Sequence, residues 1–182
     1  MKFILSILPR TLFIIGLALL ITVSSADYAL AALPGIGGMF AGHRPENLGV
    51  TDGQLASCPS SPNCVVSQGG DDEHSISPIA YAGDRNAAKE NLTSILGVVP
   101  RTKIVEEQDN YILAESESRL MGFVDDTEFY FPEDQPVIHM RAAARLGESD
   151  LGVNRRRVEQ IRLALKDLES RGGASKEYQD RP

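Results

Sequence analysis

Two stretches in the second half of the chain alternate with a period of two, and they restrict the fold more than any other feature. Residues 119–131 read RLMGFVDDTEFYF and residues 137–144 read VIHMRAAA. Successive side chains of a strand point to opposite faces. On the first strand Met121, Phe123, Asp125, Thr127, Phe129 and Phe131 share one face, and Leu120, Val124, Asp126, Glu128 and Tyr130 the other. On the second, Ile138, Met140, Ala142 and Ala144 share a face, and His139, Arg141, Ala143 and Arg145 the opposite one. A connection of residues 132–135 places Phe131 against Pro136. It sets Glu128 opposite His139, Asp126 opposite Arg141, Phe129 opposite Ile138 and Asp125 opposite Ala142. One face of this hairpin is then apolar, with Asp125 intruding, and the other carries complementary charges. Cross-strand pairs of this kind contribute ~0.2–1 kcal/mol each. The charged face reads either as an exposed surface laced with ion pairs or, with Arg145 and the loop beyond it, as the wall of a polar pocket.

The remaining elements fit around that hairpin. Val65 and Val66 begin a short strand, and residues 76–81 form an extended piece broken by Pro78. The spacing of Ala88, Leu92, Ile95 and Leu96 predicts a helix over 84–98, capped by Asp84 and ended by Gly97 and Pro100. Residues 102–107 and 111–115 read as strands around an Asp109-Asn110 turn. Leu151, Val158, Ile161, Leu165 and Leu168 mark a second helix over 149–168, with Ser149 or Asp150 as its cap. This order predicts an α+β fold: an antiparallel sheet of three to five strands with two amphipathic helices packed on one face. Residues 58–170 form the single domain. Residues 32–57 are a Gly-rich lead-in without periodicity, ordered only where it touches the domain, and 171–182 a polar tail expected to be disordered.

The first residues read as a targeting segment. Lys2 and Arg10 supply a positive start, residues 11–23 are apolar, and Ala29-Leu30-Ala31 is a cleavage site, giving a signal peptide over 1–31. The apolar run is short for a membrane span of ~20 residues, so cleavage is expected, and membrane attachment only if that segment is retained. Export to a periplasm or a thylakoid lumen follows. Export makes a disulfide the default reading of Cys58 and Cys64, worth roughly 2 kcal/mol for so short a loop. A redox-active pair or half a metal site are the alternatives; the spacing is not that of thioredoxin, and no second Cys/His pair completes a zinc set. A net charge of −7 and a pI near 5.0 argue against general nucleic-acid binding.

Several residues carry possible chemistry. A carboxylate on a core face must be paired or take up a proton, so Asp125 is expected to find an arginine or a backbone N–H near the loop after residue 144, unless a bulge turns it outward. The loop 147–154 opens a helix, and free N–H groups at a helix start attract anions. Arg155, Arg156 and Arg157 follow, where cations oppose the helix dipole. They either pair with Asp125, Asp126, Asp150 or Glu159 or serve an anionic partner. A helix turns ~100° per residue, so they cannot all face one way. Asp125, Asp126, Glu128, His139, Arg141, Arg145, Ser149, Asp150, Asn154 and Arg155 are thus the candidate ligand-binding set. Ser149, His139 and Asp126 imitate a triad, but no nucleophile elbow accompanies them. Asp126 and Glu128 could act as a carboxylate pair, although the adjacent basic residues favour ion pairing. Asp71, Asp72, Glu73 and His74 lack calcium-loop spacing and read as a solvated loop.

The motifs CPSSPNCVVSQ, GFVDDTEF and RAAARLGESDLGVNRRRVEQIR together resemble domain of unknown function family 1499, over Cys58 to about Leu165. The resemblance implies an exported or membrane-associated bacterial or plastid protein, here of cyanobacterial type, and supplies no activity. Members of that family typically read Arg-Ser-x-Ser-Arg where this chain has Arg141-Ala142-Ala143-Ala144-Arg145. Two hydroxyls are therefore missing here, and any chemistry they served would be missing too. The expected function is a noncatalytic binding or accessory module for a small anionic ligand, a lipid headgroup or an acidic protein partner. The alternative is a hydrolase or other small-molecule enzyme using Asp125, Asp126, Glu128 and His139. No cofactor or metal is expected.

Overall fold

The structure is a computed structural model that describes the backbone of residues 40–179 and the side chains of residues 40–171. These residues lie in one compact unit, Gly37–Pro182. The expected signal peptide over 1–31 lies outside them. Among the described residues no helix is long and apolar enough to cross a membrane.

Among the described residues eight strands and two helices follow one another: β1 (Val50–Thr51), β2 (Gln54–Leu55), β3 (Cys64–Val66), β4 (Ile79–Ala80), α1 (Arg85–Val98), β5 (Thr102–Glu107), β6 (Tyr111–Glu117), β7 (Val124–Tyr130), β8 (Val137–Ala144) and α2 (Val153–Gln179). The main sheet runs β3-β8-β7-β6-β5, with β4 also pairing to β8, and every pairing between these strands is antiparallel. The fold is α+β. β1 and β2 form a separate two-stranded hairpin.

Local chemistry sets the helix ends. The Asp84 carboxylate accepts the Ala87 N–H at 3.1 Å, which caps α1. Val99 is extended, as a residue before proline must be, and closes the helix. At α2 the Asp150 carboxylate takes the N–H of Gly152 at 2.9 Å and that of Asn154 at 2.7 Å. The helix is longer than the periodicity to Leu168 predicts and runs through the expected tail to Gln179.

Both helices cover one face of the sheet. Leu92 and Leu96 of α1 and Val158, Ile161 and Leu165 of α2 are buried against Phe129, Phe131, Ile138 and Met140. The opposite face carries a smaller cluster of Leu55, Tyr111 and Leu113, with Leu48, Val50, Val105 and Tyr130 packed against it. Much of that cover comes from the lead-in, which crosses the sheet rather than merely preceding it. Asp52 and Gly53 have φ of 51° and 74° and form the tight turn between β1 and β2. Gly42, at φ 67°, lies where a Cβ would meet Arg145 and Leu146 at 2.9 Å, so only glycine lets the lead-in pass there.

The β7–β8 register corrects the expected pairing by two residues. Glu128 faces Arg141 rather than His139, Asp126 faces Ala143, and Asp125 faces Ala144 rather than Ala142. Pairing starts at Tyr130 and His139 because the connection is longer than the four-residue turn assumed. A shift of two keeps every side chain on its face, so the division into an apolar and a charged face stands while the partners change.

Candidate functional site

The charged face is closed. Glu128 is fully buried and Asp126 and Arg141 nearly so. Glu128 Oε1 accepts from Tyr111 Oη at 2.9 Å and from the Gly49 N–H of the lead-in at 2.7 Å, and Oε2 accepts from Arg141 Nη1 at 3.1 Å. Burial, and then the negative charge of Glu128, pushes the Tyr111 hydroxyl far up, so it stays a donor. Arg145 grips both oxygens of Asp126, with Nε at 2.7 Å and Nη2 at 2.6 Å. Arg145 also reaches Glu115, which is bound in addition by Arg44 and by Lys103 at 3.0 Å. Burial alone would raise the Glu115 pKa, but hydrogen bonds from Arg44, Arg145 and Lys103 outweigh it and hold it at about 2. Around Asp126, Glu128 and Arg141 this face is therefore neither an exposed surface nor an open polar pocket; it opens only at its edge, in a depression of about 300 Å³ lined by Lys103, Glu115 and Glu117. It is an ion-pair layer under a strap formed by the chain itself.

His139 takes no part in that layer. Its Nδ1 lies 3.1 Å from Ser67 Oγ, its ring stacks on Tyr130 with centroids 6.3 Å apart, and burial lowers its pKa. Ser149 lies in the loop beyond β8 and caps the Leu151 N–H at 3.2 Å. Glu128, Asp126 and Asp125 are each locked to a different arginine, and Asp125 lies on the other face of the sheet. The triad does not assemble, and Asp126 and Glu128, which share a face, are both buried in separate ion pairs.

On the helix face Asp125 meets Arg157, with Nη2 to Oδ2 at 2.8 Å. Burial raises the Asp125 pKa against the pull of that guanidinium. Arg157 also bonds Asn154 Oδ1 at 2.9 Å, and Asn154 Nδ2 donates to the Asn63 carbonyl at 3.1 Å. Asn63 sits beside the Cys58–Cys64 disulfide; its carbonyl also takes the Ala144 N–H at 3.1 Å, and its side chain donates to the Gly147 carbonyl. The three arginines diverge as a helix requires. Arg155 donates to the carbonyls of Ser75 and Glu73 at 2.8 and 2.7 Å, and Arg156 to that of Leu151 at 2.7 Å. In the loop over 69–74 Asp71, Asp72 and Glu73 are solvated as expected, while His74 is buried between Asp71 (Nδ1 to Oδ1, 2.6 Å) and the Ser61 carbonyl (3.2 Å). The Asp71 hydrogen bond raises the His74 pKa.

An open cleft lies at the end of the sheet where the β6–β7 turn meets the β8–α2 loop. It has a volume of about 250 Å³ and is lined by Phe123, Leu146, Leu151 and Val153, with Asp125 and Asp150 as its charged groups. Phe40 of the lead-in stacks on Phe123 with centroids 5.3 Å apart. Of the candidate set, Asp125, Ser149 and Asp150 come together here; Asp126, Glu128, His139, Arg141 and Arg145 lie on the other face, and Asn154 and Arg155 support the helix start. The sequence reading passed over Phe123, Leu146 and Leu151 as site residues. The signal for them was apolar side chains at loop positions, where polar residues are the rule. A wider depression of about 400 Å³ lies at the β7–β8 turn, lined by Pro132, Glu133, Asp134 and Arg85, and contains none of these buried groups.

No curated protein and no solved structure matches the chain. One family model does match, over residues 54–165, more than half of the sequence, and the disulfide, the acidic β7 strand and the start of α2 all fall inside that span. The chain belongs to the family described as protein of unknown function DUF1499.

Proposed function

We propose that this chain is a noncatalytic binding module of an exported setting, and that it binds at the cleft between the β6–β7 turn and the β8–α2 loop. The carrying observation is an apolar rim turned to water. Leu120 is 80% exposed and Leu151 84% exposed, and Met121, Leu146 and Val153 on the same two loops are exposed as well. Isolated surface leucines are ordinary; five large apolar side chains on two adjoining loops beside one concavity are the mark of a binding surface. Leu151 adds to this, because φ of 53° favours glycine or asparagine, and the chain instead holds a leucine in solvent there.

The anionic partner expected from the arginines has little left to recognise it. Arg141 and Arg145 are engaged with Glu128 and Asp126, Arg157 with Asp125, and Arg155 with two carbonyls. The hydrolase reading lacks a shared site for its carboxylates. Export, to a periplasm or a thylakoid lumen, is supported by the Cys58–Cys64 disulfide, since such bonds persist in oxidising compartments.

The test is a thermal-shift screen of small apolar compounds on the full chain and on its Ala144→Leu variant, which fills the cleft beside Asp125. Compounds that raise the Tm of the parent chain and not of the variant support the reading. Equal shifts in both, or none in either, count against it.

A further inference from the structure

Resting on that binding reading, we infer that the partner of this site is a lipid bilayer with neutral headgroups, into which the two loops dip their apolar tips. The tips are aliphatic: Leu120 and Met121 on the β6–β7 turn, and Leu146, Leu151 and Val153 between β8 and α2, are all exposed. Exposed apolar patches mark protein or membrane contacts. Protein interfaces draw their energy from aromatic and arginine anchors, with leucine and valine under-represented. Neither loop exposes an aromatic ring, since Phe123 is half-buried against Phe40.

The backbone of the tips is suited to leaving water, which requires that its N–H and C=O groups already have partners. Leu151 has water on hand, yet its N–H donates to Ser149 Oγ at 3.2 Å and its carbonyl accepts from Arg156 Nη1 at 2.7 Å. The N–H groups of Gly152 and Val153 go to Asp150, and those of Gly122 and Phe123 to Ser118. The chain also enters the fold at this corner, where Phe40 packs on Phe123. Residues 28–39 just upstream include Leu30, Leu33, Ile36 and Met39 and carry no charged side chain, so the approach to the rim adds no charge that needs water.

Charge selects the lipid. Around the rim Arg119 and Arg156 stand against Glu148 and Asp150, and Asp125 is paired with Arg157. The local balance is neutral and the whole chain carries −7, so an anionic surface offers no attraction. Arginines of this length can keep their heads at the headgroup level while the leucines go deeper.

The experiment attaches a fluorophore to the full chain at Leu120→Cys, at Leu151→Cys, or at Glu133→Cys on the β7–β8 turn, the other end of β7 from the rim. The Cys58–Cys64 disulfide stays intact, and the chain is mixed with phosphatidylcholine vesicles carrying a spin-labelled lipid. With the tips ~5–10 Å into the headgroup–acyl boundary, the rim labels should be quenched about twofold more than the Glu133 label. High salt should not change this. Leu151→Asp should remove it from the Leu120 label. Rim labels quenched no more than the control overturn the lipid assignment, even if the chain is held on the vesicle by its upstream segment. A concentration-dependent mass that Leu151→Asp abolishes, without rim quenching, overturns it in favour of a second copy. Thermal shifts with Ala144→Leu separate the two readings. Compounds lost in that variant, without rim quenching, leave the cleft and remove the lipid. Quenching without such compounds leaves the lipid and removes the cleft, and neither result removes both.

Discussion

Thr127 and Ala142 stand directly opposite one another on β7 and β8, and the Thr127 hydroxyl is buried without a hydrogen-bond partner. The family pattern that the sequence resembles has serines at 142 and 144, which this register places opposite Thr127 and Asp125. The alanines therefore leave one hydroxyl orphaned. An unsatisfied buried polar group costs about 1–3 kcal/mol. Thr127→Val, which keeps the shape and removes the hydroxyl, should raise unfolding free energy by about 1 kcal/mol. Ala142→Ser should also gain by supplying a partner. The double variant should lose stability relative to either single change, because the new serine would then be the orphan. Urea denaturation of the four proteins measures this coupling.

Glu128 and Arg141 form an ion pair with 0% and 5% of their side chains exposed. Removing one partner leaves the other charge buried and alone. Glu128→Leu should therefore cost about 3–5 kcal/mol in denaturant unfolding. Replacing both residues with apolar side chains of similar volume should recover most of that loss. A single variant that unfolds at the same denaturant concentration as the parent would show that the lead-in does not seal this pair.

Glu115 ties acid stability to the strap. Its folded pKa of about 2 lies below the ordinary value of 4.5. A depressed carboxylate pKa contributes stability that is complete above the unfolded value and is lost as pH falls toward the folded one. The chain should thus lose stability between about pH 4.5 and pH 2. Arg44→Ala should move the acid midpoint upward, by less than about one pH unit because that arginine is half-exposed. His74 acts with the opposite sign. Its raised pKa contributes stability that is full below the ordinary 6.5 and lost as pH rises through the folded value. Acid and alkaline unfolding followed by circular dichroism measure both limbs.

The sequence was legible where burial follows a period. The α1, β5, β7 and β8 segments and the two faces of the hairpin could be read from apolar spacing alone. Partner identity across β7–β8 could not, because it depends on loop length, and a shift of two residues leaves every face unchanged. The cover over Glu128 was hidden in a Gly-rich stretch without periodicity. Its one readable signal was Asp52-Gly53 between short extended pieces, the commonest mark of a tight hairpin. The charges of the hairpin looked available for a ligand because a sequence cannot show that Gly49 and Arg44 return to them across the sheet. Asp125 was legible as an anomaly, a carboxylate on a core face in need of an arginine or a backbone N–H near the loop after residue 144, but which of the three arginines of the helix start pairs with it, Arg157, was not.

The disulfide should matter to the cleft more than to the fold. A crosslink closing so short a loop contributes about 2 kcal/mol. Asn63, next to Cys64, holds the end of β8, the Gly147 carbonyl and the Asn154 side chain at once. Cys58→Ser with Cys64→Ser, or reduction by a dithiol, should leave the far-UV spectrum near native at 25 °C. Affinity for compounds that bind the parent cleft should fall several-fold. Unchanged affinity would show that Asn63 keeps its position without the crosslink.

Leu151 offers the sharpest separation of stability from binding. Its φ of 53° and its 84% exposure mean that the side chain adds strain and little packing. A left-handed backbone costs an ordinary residue roughly 1–2 kcal/mol, and asparagine tolerates it better. Leu151→Asn should therefore raise unfolding free energy by about 0.5–1 kcal/mol. The loop would be unchanged, since the Leu151 N–H is held by Ser149 and its carbonyl by Arg156. The same substitution removes an apolar wall of the cleft and should weaken apolar ligands several-fold. Gain in one measurement and loss in the other is the pattern of a residue kept for binding at the expense of stability. A stability gain with ligand affinity intact would mean that Leu151 does not line the occupied cleft.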